Sequence, residues 1–472
     1  MASSPLVVNG LLALSTAVFV LGLCIQSRTT RFLVFCVFSA IVYYQFAHTN
    51  TGNPPNDYFM ASAYTSIWFM ASDQLVLTDP HRALRARKQE KRPGDMSLCE
   101  RLCWAMQLRM NPRGISWNFE APKHSLAPRP RYRSKLAFVA AQLLYCALDL
   151  VILDLASVIC KSIPELSADG PPLSSVSMAA WCPVPKYLQS TLPIHAYPCG
   201  WLTRVGAVAG YGFSAYAAIG MGHRILSIVS VTIGALLQVP LGGWEDPAEW
   251  PHLMGPLREG YTVGAVWGCV WHQMLRRVSI CSSVTARRVG NLRALLERLR
   301  LISQADSFTQ CLTRHAEVLV SLVYPRASTL NGEPSKKSDD VAPEQSAPER
   351  NGTRSLARGI LKIYAVFFVS GIIHAAGDAR ILGSWSASRA MPFFLLQATA
   401  IIAERGVIHA ARTKLGCTDA WYWRALGVLW TFTFLGATLP MWLDPIAAAG
   451  VMDEGADFGE VNAWVGRVVG LL

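Results

Sequence analysis

The stretch that decides the fold is LVVNGLLALSTAVFVLGLCI, residues 6–25, which contains twenty residues and no charge. A helix rises about 1.5 Å per residue, so a stretch of this length crosses the roughly 30 Å hydrocarbon core of a bilayer. A cleavable signal peptide would have a shorter apolar region behind a basic segment, and no Lys or Arg precedes residue 6. We therefore expect residues 6–25 to be the first membrane span.

Nine further apolar stretches follow along the chain. They are residues 32–47, 58–77, 136–160, 201–222, 225–241, 261–275, 359–377, 391–410 and 423–442. A spanning segment must satisfy its backbone polar groups internally, which favours helices, and the two-residue alternation of barrel strands is absent. The shorter stretches could be tilted, re-entrant or interfacial. The sequence thus predicts an all-α, polytopic membrane helical bundle of about eight to ten spans.

The composition agrees with a membrane protein. Apolar residues make up 52% of the 472 residues and charged residues 16%, against about 25% charged in ordinary globular proteins. These values exclude a disordered, collagen-like or small disulfide-framed chain.

The net charge of +12, from 43 Lys and Arg against 31 Asp and Glu, does not point to nucleic acid, because the charges cluster between the apolar stretches. Alternate loops separate into a basic and an acidic set. The basic set holds Arg28, Arg31, residues 79–135, His223-Arg224, residues 276–358 and 412–414, whereas the acidic set holds residues 245–249, Asp378 and Asp444 among others. The positive-inside rule places the basic set in the cytosol and the N-terminus in the lumen.

Three loops have a distinct character. Residues 79–135 mix apolar side chains with Arg and Lys, which predicts an amphipathic helix on the membrane surface. Residues 325–358 are rich in Ser, Pro, Glu and Lys, which predicts a disordered cytosolic loop. Cys182 and Cys199 would share a lumenal loop, where a disulfide and two free thiols are about equally plausible.

His374 is the strongest functional candidate inside a span. It ends the run Ser370-Gly371-Ile372-Ile373-His374, fifteen residues into an apolar segment and so about 22 Å along a helix. A neutral imidazole can accept a proton without creating a buried negative charge, as a general base in a partly dry site requires. Gly371 would let another helix or a ligand come close. The alternative is a histidine bonded to a neighbouring helix.

The second candidate cluster lies in residues 267–277. Its members are Trp267, Trp271, His272, Gln273, Arg276 and Arg277. Arginines can hold phosphates, and His and Gln can donate to a carbonyl that becomes an oxyanion. An interfacial aromatic belt with cytosolic arginines would explain the Trp and Arg residues, but not the His-Gln pair.

Other polar residues at membrane depth are weaker candidates. Asp149 and Asp154 would lie roughly 140° apart on a helix and would not hold one Mg²⁺ jointly. Glu404-Arg405 is expected to be a structural ion pair or a partner of another helix. GxSxG, Walker and GxGxxG motifs are missing, which argues against soluble hydrolases, ATPases and dehydrogenases.

At these residues the sequence resembles the wax synthase-like branch of the membrane-bound O-acyltransferase superfamily. Residues 113–117, RGISW, are similar to its RGIGW element, with Ser116 where Gly is usual. Residues 261–276 resemble its FWGRRWHQxxR block, with Cys269-Val270 in place of the two Arg. Residues 370–374 resemble its SGxxH element, and Gln397, Glu404 and residues 423–440 its C-terminal pattern. The likeness covers residues 58–445, which leaves 1–57 as N-terminal spans and 446–472 as a C-terminal segment.

The resemblance implies a bundle that encloses a substrate tunnel, with acyl-CoA as co-substrate and neither a metal nor a bound cofactor. His374 would match the catalytic histidine, and His272 the second catalytic position. Trp267, Trp271, Gln273 and Ser370 would bind substrate, and Arg276 and Arg277 would be the better CoA contacts because the usual Arg pair is missing. The nearest-looking relatives acetylate hydroxyl groups of fungal terpenoids or meroterpenoids.

We therefore expect an endoplasmic-reticulum enzyme that transfers an acetyl group from acetyl-CoA to a lipophilic alcohol in secondary metabolism. One alternative is a long-chain wax-ester or sterol O-acyltransferase. Another, from a different class, is a membrane transporter or lipid-binding protein. A prenyltransferase or terpene cyclase would need Asp-rich elements near a span end, and the sequence has none.

Overall fold

The computed structural model describes residues 3–87, 89–111, 114–119, 132–184, 195–238, 243–271, 315, 318, 348–417 and 420–453. These residues are mostly helical, as expected. The helices are α1 (Pro5–Cys24), α2 (Arg28–His48), α3 (Pro54–Ser72), α4 (Pro80–Ala83), α5 (Leu98–Met110), α6 (Lys135–Lys161), α7 (Cys199–Leu236), α8 (Val263–Ala265), α9 (Pro348–Leu382), α10 (Ala390–Lys414) and α11 (Trp421–Ala448). A π-helical turn extends α3 over Asp73–Leu77 and another extends α8 over Val266–Val270.

Short elements connect the long helices. Single 3₁₀ turns lie at Pro93–Asp95, Pro164–Leu166, Leu173–Ser175, Pro247–Glu249, Leu257–Glu259 and Trp385–Ala387. Strands β1 (Cys182–Pro183) and β2 (Ala196–Tyr197) form a two-stranded antiparallel pair. Cys182 and Cys199 form a disulfide next to this pair, which decides between the two alternatives that the sequence left open.

Seven segments of the described chain are long and apolar enough to cross a membrane. They are Leu6–Cys24, Arg28–His48, Lys135–Lys161, Cys199–Leu236, Gly359–Leu382, Trp385–Lys414 and Trp421–Ala448. The first agrees with the span expected at residues 6–25. Seven candidate spans are fewer than the eight to ten expected, because α7 is one helix of 38 residues where the sequence suggested two spans. In addition, α3 carries Asp57 and several hydroxyl groups, and the stretch at 261–275 begins with a short helix.

The continuity of α7 corrects the predicted sidedness of the loops. His223 and Arg224 lie inside this helix and not in a loop. The acidic residues 245–249 lie at the same end of the bundle as the basic residues 79–119, because Ser116 Oγ donates to both carboxylate oxygens of Glu249 at 2.5 and 2.6 Å. The prediction that these two segments lie on opposite sides is therefore wrong. Because α7 crosses once and not twice, the loop after α7 lies on the side opposite to the predicted one.

The basic residues 79–119 lie at one end of the bundle, called here the basic end. Hydrogen bonds from an arginine side chain to backbone carbonyl groups stabilise this end. The Arg101 side chain donates to the carbonyl oxygens of Cys24, Pro93, Gly94 and Met96. The helix α5 to which Arg101 belongs starts with a capping box formed by Ser97 and Glu100. It buries Trp104 and Leu108 and leaves Leu98, Met106 and Met110 exposed. An amphipathic helix on the membrane surface was expected in this segment. The helix is present as α5, and its position on a membrane surface stays a prediction.

Two large apolar clusters form the core. One joins α1, α2, α3 and α5 around Phe19, Phe38 and Trp104. The other joins α7, α9, α10 and α11 around Phe393, Phe394, Trp442 and Leu443. Helix α9 begins at Pro348, so the backbone is helical over the last part of segment 325–358, where we expected a disordered loop. The earlier part of that segment lies outside the described residues.

Helices α6 and α7 are joined by a buried ion pair. Arg224 of α7 donates to the carboxylate of Asp149 in α6, and its guanidinium lies 5.3 Å from the centre of the Tyr145 ring. Asp149 is only 1% exposed. The aspartate is thus the partner of a cation and not a metal ligand shared with Asp154.

We predict that Arg224→Met lowers the free energy of unfolding by about 3–5 kcal/mol, because it leaves the Asp149 carboxylate buried without a partner. The melting temperature of the detergent-solubilised protein measures this change. The double variant Asp149→Asn/Arg224→Met should recover most of the loss. Lys91→Met breaks the exposed pair with Glu100 and should lower the melting temperature far less than Arg224→Met does. Equal losses in Arg224→Met and Lys91→Met would refute the prediction.

Candidate functional site

The described helices surround a large, partly open cavity of about 1160 Å³. Its walls are mainly apolar and aromatic, and they come from α3, α5, α6, α7, α9, α10, α11 and the segment after α8. Three of the predicted site residues line it: His374, Trp267 and Trp271. Ser370, one turn before His374, is half-buried and is not among the described residues that line the cavity.

The imidazole of His374 is held in one orientation by contacts from three helices. Its Nδ1 lies 3.0 Å from the hydroxyl oxygen of Tyr58 in α3. Its face stacks on Phe394 of α10, with ring centres 4.7 Å apart and planes 10° apart. Trp442 of α11 meets it edge-on at 5.1 Å. When Nδ1 carries the proton and donates to Tyr58, Nε2 keeps the lone pair that a general base needs.

Two glycines allow the neighbouring helices to come this close to α9. A Cβ on Gly377 would lie 2.5 Å from Ser62 Oγ and 2.7 Å from the Tyr58 ring, so α3 could not hold its present position. A Cβ on Gly371 would lie 2.9 Å from the sulfur of Met391 in α10. The expectation that Gly371 admits another helix or a ligand is confirmed, and the neighbour is a helix.

Asp378 is a site residue that the sequence did not predict. It was expected in an acidic loop, but it lies inside α9, one turn after His374, and is 1% exposed. Its carboxylate accepts hydrogen bonds from Ser388 Oγ at 2.6 Å and from the indole nitrogen of Trp442 at 3.1 Å. Asp378 therefore fixes the indole whose edge contacts His374. The available signal was its spacing of four residues from His374, which places both on one helix face.

Tyr58 was also missed, because it comes from a helix 316 residues earlier in the chain. Tyr211 of α7 lines the same cavity, and its ring meets Trp442 edge-on at 6.0 Å. The described surroundings of His374 thus contain two phenols, one carboxylate and several aromatic rings.

The segment with Trp267 and Trp271 is held against α10 by two polar side chains. Glu404 accepts hydrogen bonds from the backbone N–H groups of Val263 and Gly264, at 2.7 and 3.0 Å, and from Trp430 at 2.8 Å. Gln397 accepts one from the Trp267 indole at 3.2 Å. The expectation of a partner on another element is correct for Glu404, which caps the short helix α8.

Phe394 connects the two predicted motifs. The centre of the Trp267 ring lies 5.6 Å from that of Phe394, and Phe394 also stacks on the ring of His374. Trp271 packs against Trp267 at 6.1 Å. The structure thus brings together the SGxxH histidine and the start of the WHQ block. His272, Gln273, Arg276 and Arg277 lie outside the described residues.

In the RGISW element, Ser116 occupies the position where glycine is usual. Its φ is +61°, in the left-handed region where glycine is favoured, and Gly114 two residues before it has a φ of +57°. The hydrogen bonds from Ser116 Oγ to Glu249, which lines the cavity, provide a contact that glycine could not make.

Comparison with known proteins gives one family and several relatives. The Membrane bound O-acyl transferase family matches residues 250–323 and 338–396, which include His272 and His374. The chain is 29% identical over 436 residues to Acetyltransferase ple2 of Rhodocybe pseudopiperita, covering 92% of this chain and 89% of the relative. It is 26% identical to Acetyltransferase eriL of Hericium erinaceus, covering 94% and 92%. It is 25% identical to O-Mevalon transferase macI of Penicillium terrestre, covering 86% and 78%. No solved structure matches the chain.

We predict that Gly377→Val destabilises the protein by about 3 kcal/mol, because the added side chain would overlap Ser62 and Tyr58 and force α3 away from α9. The melting temperature in detergent measures the effect. Gly406→Val in α10 is the matched control, since no atom lies within 4 Å of a Cβ there. If both variants melt at the same temperature, the close approach of α3 to α9 is not as described.

Proposed function

We propose that the chain is a membrane-bound O-acyltransferase that transfers an acetyl group from acetyl-CoA to a hydroxyl group of a lipophilic terpenoid or meroterpenoid in secondary metabolism. The family match over residues 250–323 and 338–396 and the relatives named acetyltransferases support this proposal. The observation that carries the proposal is the position of His374. This histidine lies in the wall of a large, mainly apolar cavity, held by Tyr58, Phe394 and Trp442. An apolar wall suits a lipophilic alcohol and excludes water that would hydrolyse the thioester.

In the proposed reaction, Nε2 of His374 removes the proton of the acceptor hydroxyl as its oxygen attacks the thioester carbonyl. The tetrahedral intermediate then collapses, the carbon–sulfur bond breaks, and the departing CoA thiolate takes the proton back from the imidazolium. No acyl-enzyme forms. Holding both substrates in one cavity supplies the proximity that replaces a bimolecular encounter.

The WHQ block supplies the remaining roles in this proposal. His272, Gln273 and Trp271 would orient the thioester or donate to its oxyanion. Arg276 and Arg277 would contact the CoA phosphates. Trp267 and Ser370 would bind substrate. The contact of Trp267 with Phe394 supports this role for Trp267. For Ser370, the support is its position one helical turn before His374.

The names of the relatives favour acetyl as the transferred group. Two of them are named acetyltransferases and one an O-Mevalon transferase. A long-chain wax-ester or sterol O-acyltransferase is the second candidate, because a cavity of about 1160 Å³ could also hold a long acyl chain. The proposed location is the endoplasmic-reticulum membrane, where acyl-CoA reaches the cytosolic face.

We predict that His374→Ala reduces acetyl transfer in microsomes by at least about 100-fold, because general base catalysis contributes roughly 10²–10⁴-fold. His272→Ala should lose less, if its role is supportive. Transfer of radiolabelled acetyl to the alcohol measures both, with protein amounts compared by immunoblot. Wild-type turnover in His374→Ala at normal expression would exclude His374 as the base.

We further predict that acetyl-CoA gives a higher kcat/KM than butyryl-CoA, and that palmitoyl-CoA gives the lowest. Rates of CoA release with the same alcohol measure this order. A preference for palmitoyl-CoA would favour the wax-ester or sterol alternative, whereas ligand movement across vesicles without CoA release would favour a transporter.

A further inference from the structure

Arg109 is a half-buried arginine whose contacts differ from those of Arg101, Arg204 and Arg224. It lies in the last turn of α5 and lines the same cavity as His374. Its guanidinium carbon is 5.3 Å from the centre of the Phe19 ring, and its Nε is buried without a hydrogen-bond acceptor. No hydrogen bond or ion pair from Arg109 to another residue is found in the part of the chain that the structure describes.

Comparable arginines have acceptors. Arg101 in the same helix donates to four carbonyl oxygens. Arg204 donates to the carbonyl oxygens of Ser174, Val176 and Gly436, and Arg224 to the carboxylate of Asp149. Burying a cation without hydrogen-bond acceptors is costly, and partners of this kind offset the cost. Arg109 has only an aromatic ring.

Arg109 stays charged despite its burial. Desolvation lowers its pKa to about 10, so the guanidinium is still protonated at neutral pH. The cavity therefore contains a fixed positive charge at the basic end. An anionic group that entered there would accept a charge-assisted hydrogen bond from the Arg109 guanidinium, which lacks an acceptor in the described chain.

We propose that Arg109 binds a phosphate group of the acyl-CoA donor, an inference that rests on the proposed function. Of the two substrates, the lipophilic alcohol has no required anion, whereas CoA carries several phosphates. The planar guanidinium fork matches phosphate geometry. Arg109 would thus be a phosphate contact in addition to Arg276 and Arg277. It lies on α5, which none of the sequence motifs includes.

The positions along the cavity agree with this assignment. Arg109 belongs to the basic end: α5 contacts the end of α1 through Arg101, and Arg109 lies about two turns further along α5, over the Phe19 ring of α1. His374 is eight residues, or about 12 Å, from the opposite end of α9, where Arg380 donates to the carbonyl oxygen of Thr49. The phosphates of CoA are separated from its thioester by the long pantetheine arm. A donor whose phosphates lie at Arg109 can therefore extend its thioester toward His374.

The test compares two acetyl donors with the same thioester. Acetyl-CoA carries the phosphates, and S-acetylpantetheine has none. In Arg109→Met, the ratio of kcat/KM for acetyl-CoA to that for S-acetylpantetheine should fall about tenfold or more, and Arg109→Lys should recover part of the loss. Arg82→Met is the control, because it removes the same charge from an 89% exposed side chain in the same basic segment and should change the ratio less than about twofold.

A second measurement needs no turnover. CoA should raise the melting temperature of the His374→Ala protein more than pantetheine does, and adding Arg109→Met or Arg109→Lys should reduce that difference, the Lys variant less. An unchanged donor ratio, or equal losses with both donors as expected for a site that holds a lipid phosphate, would overturn the proposal. If the wild-type protein transfers no acetyl group from either donor but CoA still stabilises it through Arg109, the proposed function fails and the Arg109 site stands.

Discussion

The structure depends on one constraint: polar side chains that are buried among apolar helices need partners within the protein. Glu404 meets it through two backbone N–H groups and an indole, and Asp149 through Arg224. Asp378 meets it through a hydroxyl and a second indole. Each of these bonds joins different helices or loops, so the bonds also set how the helices are arranged.

The same bonds build the candidate site. Asp378 holds Trp442, and Trp442 contacts His374. Gln397 holds Trp267, which reaches His374 through Phe394. The orientation of the histidine therefore depends on its direct contact with Tyr58 and on the polar contacts that hold its aromatic neighbours.

Sequence patterns predicted the helical class, the position of His374 inside a long helix and its proximity to the start of the WHQ block, since each is encoded within a short segment. They could not predict Tyr58, because its contact depends on the close packing of two distant helices at Gly377. They also divided α7 in two at His223 and Arg224, since a charged pair in an apolar run usually indicates a loop. Arg224 is tolerated within the helix because Asp149, on α6, neutralises it.

The partners of Asp378 also bear on what His374 can do. A carboxylate bonded directly to the imidazole would favour the imidazolium, which cannot accept a proton from a hydroxyl group. Asp378 instead accepts from Ser388 and Trp442, and the partner of His374 Nδ1 is the neutral hydroxyl group of Tyr58. A carboxylate one turn away can still stabilise the imidazolium when it forms during the reaction. An oriented histidine with a neutral direct partner is therefore suited to take up a proton in an apolar cavity and release it again.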